Sequence, residues 1–157
     1  MTALLLASIL GCGGASAPEA PKPAPEAMWL TGVKTWYCGT ERTDPPKGAP
    51  APTVPPTRDV VVKLATTSGG LTGLYALNDN GRSYIGTFTR SALAGERVAT
   101  VRSENSERQK GEAKLTLSPD YQTLTVEWHV GEWAAAGTTT LTSAAGPTAC
   151  AAGKLLR

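Results

Sequence analysis

Acidic, imidazole and aromatic side chains cluster at one place in the sequence, between residues 127 and 133. Glu127 and Glu132 flank Trp128, His129 and Trp133 there. Two carboxyl groups can act as general acid and base without a histidine, so a hydrolase would have its catalytic pair in this cluster. Glu127 and His129, however, fall on one face of a predicted strand, where a solvated polar pair is the more frequent meaning. We therefore predict no catalytic residues and no enzymatic activity.

Other motifs for catalysis or cofactor binding have no match in the sequence. His129 is the only histidine, and we expect neither a metal ion nor another cofactor. The turn at residues 78–81 looks like a calcium loop around its glycine, but Ala76 and Thr87 stand where the first and last ligands are needed. Neither a G-x-S-x-G nucleophile turn nor a phosphate-binding glycine motif occurs.

The composition describes one small, turn-rich domain. The 157 residues include 17 glycines and 12 prolines but one phenylalanine, and a chain of this length can bury one modest core. Fifteen Lys and Arg against 13 Asp and Glu give a net charge of +2, which makes no electrostatic case for a nucleic-acid partner. We expect a monomer that does not bind nucleic acid.

The N-terminus has a short apolar run followed by a cysteine. Residues 3–10 are far fewer than the roughly 20 that a membrane-spanning helix needs, and they are typical of an export signal. Residues 9–12, ILGC, resemble the lipobox of bacterial lipoproteins. The resemblance implies a signal peptide at residues 1–11, acyl chains on Cys12, and a protein anchored by lipid to a membrane of the cell envelope. Gly13 favours the outer membrane, facing the periplasm or the cell surface.

Two cysteines remain once Cys12 is assigned to the anchor. Cys38 and Cys150 have one intramolecular pairing in an exported protein, so we predict the disulfide Cys38–Cys150. The alternative is two buried free thiols, as in a cytosolic protein. The disulfide would bring the first strand beside the end of the chain, as a closed barrel or sandwich requires.

Proline-rich segments separate the anchor from the folded body. Residues 12–27 contain four prolines and no large apolar side chain, which predicts a flexible linker. We expect residues 28–157 to form a single β domain with an exposed proline-rich loop at 45–56. That loop could also be a polyproline ligand, although a surface connection is the more frequent meaning.

Apolar side chains alternate with polar ones over much of the sequence from residue 58 onward. Such alternation, with turn residues at near-regular intervals, is typical of half-buried antiparallel strands. We predict an all-β fold, an antiparallel up-and-down meander of about eight strands closed into a small barrel. A β-sandwich would give the same alternation and is the alternative. The first strand is expected near residues 33–38 and the last near 138–143.

Two hairpins can be aligned from their turns. A two-residue turn at residues 80–81 sets Tyr75 opposite Gly86, and a later hairpin sets Ala113 opposite Trp128. In both pairs a large side chain covers a small one, which stabilises a small residue within a strand.

The glycine and aromatic residues of these strands follow a recurrent pattern. Residues 71–75, LTGLY, residues 86–88, GTF, and the later Trp128 resemble the Gly-x-aromatic rhythm of avidin-like and lipocalin-like barrels. The resemblance implies a barrel that holds one small ligand at its mouth, with Trp36, Trp128 and Trp133 as candidate lining residues. The polar side chains that bind biotin in avidin have no ordered counterpart here, so biotin is not implied.

Three functions remain open from the sequence. The first is a non-enzymatic envelope lipoprotein, a structural or interaction module anchored to the membrane. The second is a small-ligand-binding barrel, and the third a hydrolase using Glu127 or Glu132. We rank them in this order because the anchor, linker and β domain are recognisable whereas a catalytic motif is not. The expected partners are the membrane, and either an envelope protein or a small ligand.

Overall fold

The described part of the chain folds into eight β-strands followed by two short 3₁₀ helices. A computed structural model describes residues 32–42, 57–67, 70–79, 81–131 and 135–156. The signal peptide, linker and proline-rich loop expected at 1–11, 12–27 and 45–56 lie outside these residues. The strands are β1 (Trp36–Arg42), β2 (Thr57–Thr67), β3 (Gly70–Asp79), β4 (Arg82–Gly95), β5 (Val98–Asn105), β6 (Lys110–Leu117), β7 (Thr123–Val130) and β8 (Ala135–Ala144). The 3₁₀ helices span Pro147–Ala149 and Gly153–Leu156.

The strands form a closed antiparallel barrel. Each strand pairs with its neighbours in sequence, and β1 also pairs with β8 to close the ring. The prediction of an all-β, up-and-down barrel of eight strands is thereby confirmed, and closure excludes the sandwich. The junction between β1 and β8 is short, with three residue pairs from Trp36–Ala144 to Cys38–Thr142. By contrast, β1 pairs with β2 over its whole length, to Arg42.

Both predicted hairpin alignments are confirmed. Tyr75 pairs with Gly86, and Ala113 pairs with Trp128. A methyl group added at Gly86 would overlap the Tyr75 ring. On the other side of Trp128, a methyl group at Gly137 would come within 2.7 Å of the indole. The small residues therefore make room for large aromatic rings that lie across the inside of the barrel.

The predicted position of the first strand was wrong. The expectation was residues 33–38, whereas β1 runs from Trp36 to Arg42. The second half of β1 has no large apolar side chain, so alternation could not reveal it. It becomes a strand because it pairs with β2, up to Glu41–Arg58 and Arg42–Thr57. The shift brings Glu41 into the barrel, where it is 2% exposed.

Apolar side chains fill one half of the barrel interior, at the end where β1 begins and β8 ends. We call this the closed end. Tyr37 is fully buried at this end. Its hydroxyl accepts a hydrogen bond from the Lys34 N–H and donates one to the Tyr121 carbonyl, each at 3.0 Å. Burying each large apolar side chain contributes roughly 1.5–3 kcal/mol. The leucines packed there are Leu64, Leu71, Leu115, Leu124 and Leu141, each at most 2% exposed.

A second apolar cluster lies on the outside of the barrel. Val61 and Ala76 point outward from β2 and β3 but are fully buried, because residues near the C-terminus, including Cys150, pack on them. The disulfide Cys38–Cys150 joins this C-terminal segment to β1, which confirms the predicted pairing. Among the described residues, no helix has the length and hydropathy needed to cross a bilayer.

Candidate functional site

A cavity of about 230 Å³ occupies the other half of the barrel interior. It lies toward the end where β1 stops and β2 starts, which we call the cavity end. Most of its wall is apolar, and a smaller number of polar side chains, including Glu41 and Arg58, line it as well. Apolar walls with a few oriented polar groups are typical of small-molecule sites. The apolar wall includes Val60, Val62, Leu77, Phe88, Ala113 and Val126.

Glu41 is the acidic group of the described cavity wall, and both of its carboxylate oxygens accept hydrogen bonds. Oε2 accepts a hydrogen bond from Arg58 Nε at 2.6 Å. Oε1 accepts one from the Thr139 hydroxyl at 2.6 Å and another from the indole N–H of Trp128. A buried carboxylate is tolerated where it is paired with a cation and its oxygens are hydrogen-bonded. These three donors come from β2, β7 and β8, so one side chain links four strands.

The period of two residues along each strand explains this convergence. Glu41 lies directly opposite Arg58 in the pairing of β1 with β2, so both side chains point inward. Trp128 is flanked by Ala113 on one side and Gly137 on the other. Because both neighbours are small, the indole can extend across the interior as far as Glu41.

Arg58 supplies the positive charge of the cavity. Its side chain is 16% exposed, and Cζ lies 5.5 Å from the centroid of the Trp128 ring, within range of a cation–π interaction. A guanidinium has five N–H donors. Within the described part of the chain, the hydrogen bond it makes is the one from Nε to Glu41. The N–H groups on its two Nη atoms have no acceptor among the described residues.

Tyr75 lines the same cavity as Arg58. Its ring stacks on Phe88 with centroids 5.1 Å apart. Burial raises the pKa of Tyr75 above the ordinary 10.0, although a hydrogen bond with Ser103 and the charge of Arg58 act in the opposite direction. The hydroxyl therefore stays protonated at neutral pH and remains able to donate a hydrogen bond.

A fixed turn between β5 and β6 contributes the amides at the cavity end. Asn105 Oδ1 accepts the backbone N–H groups of Glu107 and Gln109, both at 3.0 Å. Asn105 Nδ2 donates to Gln109 Oε1 at 2.7 Å. Arg108 takes a positive φ of 62° between them. Each amide nitrogen carries two N–H groups, so Asn105 Nδ2, which uses one of them on Gln109, and Gln109 Nε2 can both still donate to a ligand.

The tryptophans that were predicted to line a ligand have different positions in the structure. Trp128 lies in the cavity wall. Trp36 does not line the cavity. It is half-buried on the outer face of β1, packed against the cluster around Val61 and with Lys63 Nζ 5.3 Å from its ring centroid. Of two adjacent aromatics in a strand only one can face inward, and here it is Tyr37. Trp133 lies outside the described residues, as does the predicted lipidation site Cys12.

Of the cluster considered for catalysis, Trp128 and His129 border the cavity, whereas Glu127 does not. Glu127 is about half exposed and its carboxylate lies 2.9 Å from Lys114 Nζ. His129 is exposed on the same strand, and Glu132 lies outside the described residues. Among the residues described, no group of three His, Cys, Asp or Glu side chains is close enough to hold a metal ion.

Sequence reasoning missed Glu41 and Arg58. A signal existed for Arg58, because extending the inward alternation of Val62 and Val60 by one step reaches it, and a charge on an apolar face indicates a buried partner. Glu41 gave no such signal, since Gly39 is the inward neighbour before it and no apolar pattern marks the face.

Comparison with known proteins yields no relative, as no family model, no curated protein and no solved structure matches this chain. The closed, eight-stranded antiparallel architecture is compatible with an avidin-like or lipocalin-like barrel. The function is therefore inferred from the cavity and its side chains.

Proposed function

We propose that the barrel binds a small molecule in the cavity between the apolar wall and the Glu41–Arg58 pair. The observation that carries this proposal is the cavity itself. Leucines fill the closed end, yet about 230 Å³ is left at the cavity end. Eight-stranded barrels can be packed solid with side chains, and unfilled volume in a core is destabilising. A retained cavity therefore favours ligand binding over a purely structural module, which reverses the order expected from sequence.

The dimensions of the cavity limit the ligand. Pockets for drug-sized molecules are about 300–1,000 Å³, so a volume of 230 Å³ indicates a smaller compound. Val60, Val62 and Val126 would surround its apolar part, and the polar groups near Arg58 would orient it. The ligand class is thus a compact molecule with one apolar and one polar end.

Binding is proposed here without catalysis. Glu41 is the one acid among the described cavity-lining residues, and its oxygens already accept hydrogen bonds from Arg58, Trp128 and Thr139. A general base must be free to take a proton from its substrate. The engagement of Glu41 therefore supports a role in positioning Arg58.

The binding domain is also proposed to be anchored at the cell envelope through lipid on Cys12. The ILGC motif at residues 9–12 and a disulfide, which is characteristic of oxidising compartments, both support export. The anchor would keep the ligand site close to a membrane surface, separated from it by the linker at 12–27.

A pair of variants on β7 tests the binding proposal. Val126→Phe places a ring in the cavity, whereas Thr125→Phe places the same ring on the opposite face of the strand. Titration with benzoate, benzamide, hexanoate and hexanamide is followed in ¹H–¹⁵N spectra, including the indole resonance of Trp128. We expect at least one compound to give saturable shifts in the wild type and in Thr125→Phe but not in Val126→Phe. Absence of saturable shifts for all four compounds would contradict the proposal, as would equal binding by a folded Val126→Phe.

A further inference from the structure

We propose that the ligand is a small monocarboxylate with a short apolar body, and that Arg58 binds its carboxylate. This inference rests on the proposed binding function and adds the charge of the ligand to it. It depends on which polar atoms around the cavity are already occupied and which are not.

Around the cavity, the hydrogen-bond acceptors of Glu41 are occupied to a greater extent than the donors of Arg58. The acceptors of Glu41 are used by three donors, from Arg58, Trp128 and Thr139. The donors of Arg58 are not used up, since within the described residues its guanidinium bonds to Glu41 through Nε. The wall therefore presents donors to the cavity, and the complementary ligand group is an acceptor.

Two hydroxyl groups, those of Tyr75 and Ser103, accompany Arg58 as donors in the cavity wall. Tyr75 and Ser103 each carry a hydroxyl group, and the charge of Arg58 acts to lower the pKa of Tyr75. Both residues line the cavity with Arg58. A guanidinium can bind a carboxylate through two parallel N–H groups, and hydroxyls can donate to the remaining lone pairs. A neutral amide would offer one oxygen and would bring donors of its own.

Arg58 is held in position by Glu41 and Trp128. Glu41 fixes Nε, and the Trp128 ring lies 5.5 Å from Cζ, so the guanidinium is oriented before any ligand arrives. Preorganisation reduces the entropy lost when a ligand binds. Thr139 and Trp128 also donate to Glu41, so its carboxylate is held in place independently of Arg58. Glu41 is thus a positioning residue, whereas Arg58 would contact the ligand.

Matched ligands and variants test whether Arg58 binds a carboxylate. Benzoate and benzamide have nearly the same shape, as do hexanoate and hexanamide, so each pair reports charge alone. Arg58→Lys keeps the charge but loses the planar fork. The double variant Glu41→Gln, Arg58→Gln removes both charges together, so neither is left buried without a partner. Dissociation constants are measured by NMR titration, with circular dichroism as the check on folding.

We expect the wild type to bind each carboxylate about tenfold more tightly than its amide, because hydrogen bonds to charged groups are the stronger ones. The preference should shrink in Arg58→Lys and vanish in the double variant. Amides that bind as well as carboxylates, in a manner that Val126→Phe abolishes, would overturn this inference and leave the binding function standing. A preference that persists in the double variant would also overturn it. Binding that Val126→Phe does not affect would remove both proposals.

Discussion

Glu41 and Arg58 lie directly opposite each other on β1 and β2, and Arg58 Nε donates to Glu41 Oε2 across 2.6 Å inside the barrel. The pair does two things at once. It neutralises two charges in a largely apolar interior, and it orients the Arg58 guanidinium beside the cavity. Its contribution to stability and its contribution to binding can be separated by experiment.

Breaking this buried pair should be far more costly than breaking an exposed one. Glu41→Gln leaves Arg58 without its counter-charge, and we expect the free energy of unfolding to fall by about 3–5 kcal/mol. The matched control is Glu127→Gln, which removes a surface pair with Lys114 and should change stability by less than about 1 kcal/mol. Urea denaturation measures both. Similar losses in the two variants would show that Glu41 is not effectively buried.

Loss of the disulfide should destabilise the whole barrel and release its C-terminal segment. Cys38 and Cys150 are 112 residues apart, and cross-links closing loops of this length stabilise by about 2–5 kcal/mol. We expect a loss of that size in the Cys38→Ala, Cys150→Ala double variant and in the reduced wild type. Hydrogen exchange should rise most strongly after Ala149. Unchanged exchange there would mean that packing on Val61 and Ala76 suffices without the cross-link.

The close contact of Tyr75 with Gly86 predicts an asymmetry between two glycine substitutions. Gly86→Ala forces the Tyr75 ring to move, and overpacking of this kind destabilises by roughly 1–3 kcal/mol. Gly95→Ala meets no atom nearer than 3.9 Å and should be close to neutral. Thermal unfolding compares the two. Because Tyr75 lines the cavity, Gly86→Ala should weaken ligand binding as well, and equal stability of the variants would contradict the packing described.

Stability should decline at alkaline pH through the buried tyrosines. Burial raises the pKa of both Tyr75 and Tyr37 above 10.0. The folded state then keeps these protons longer than the unfolded state does, so the stabilisation is complete below pH 10.0 and is lost as the pH rises through the folded-state pKa. Tyr75→Phe should reduce the slope of stability against pH above 10.0. Absorbance at the tyrosinate band measures the titration, and an unchanged slope and titration curve in Tyr75→Phe would count against burial of this hydroxyl.

The proposed anchor makes a prediction about the intact mass. Protein extracted from bacterial membranes should lack residues 1–11 and should have gained acyl chains at Cys12. Cys12→Ala should keep residues 1–11 and should not be recovered with acyl chains. Cys38→Ala serves as the control cysteine variant and should still be acylated. An unprocessed wild-type chain without acyl chains would refute the anchor.

The sequence was sufficient for the parts of the fold that depend on nearby residues. The turn at residues 80–81 predicted the pairing of Tyr75 with Gly86. The disulfide Cys38–Cys150 was predicted because only these two cysteines remain once Cys12 is assigned to the anchor. The inward position of Glu41 was not predictable in this way. Glu41 faces inward because β1 pairs with β2 and with β8, and the second of these pairings joins residues about 100 positions apart. No local pattern of hydropathy encodes that closure.

The short junction between β1 and β8 has a consequence for how the protein resists association. Backbone pairing there covers three residue pairs, and the disulfide at Cys38 and the bond from Thr139 to Glu41 reinforce it on either side. If this junction opened, the ring would become an eight-stranded sheet with two free edges. Free edges are templates for pairing with other chains, and closure removes them. We therefore expect the cross-link and the buried carboxylate, by keeping the ring closed, to limit edge-to-edge aggregation of this β-rich chain.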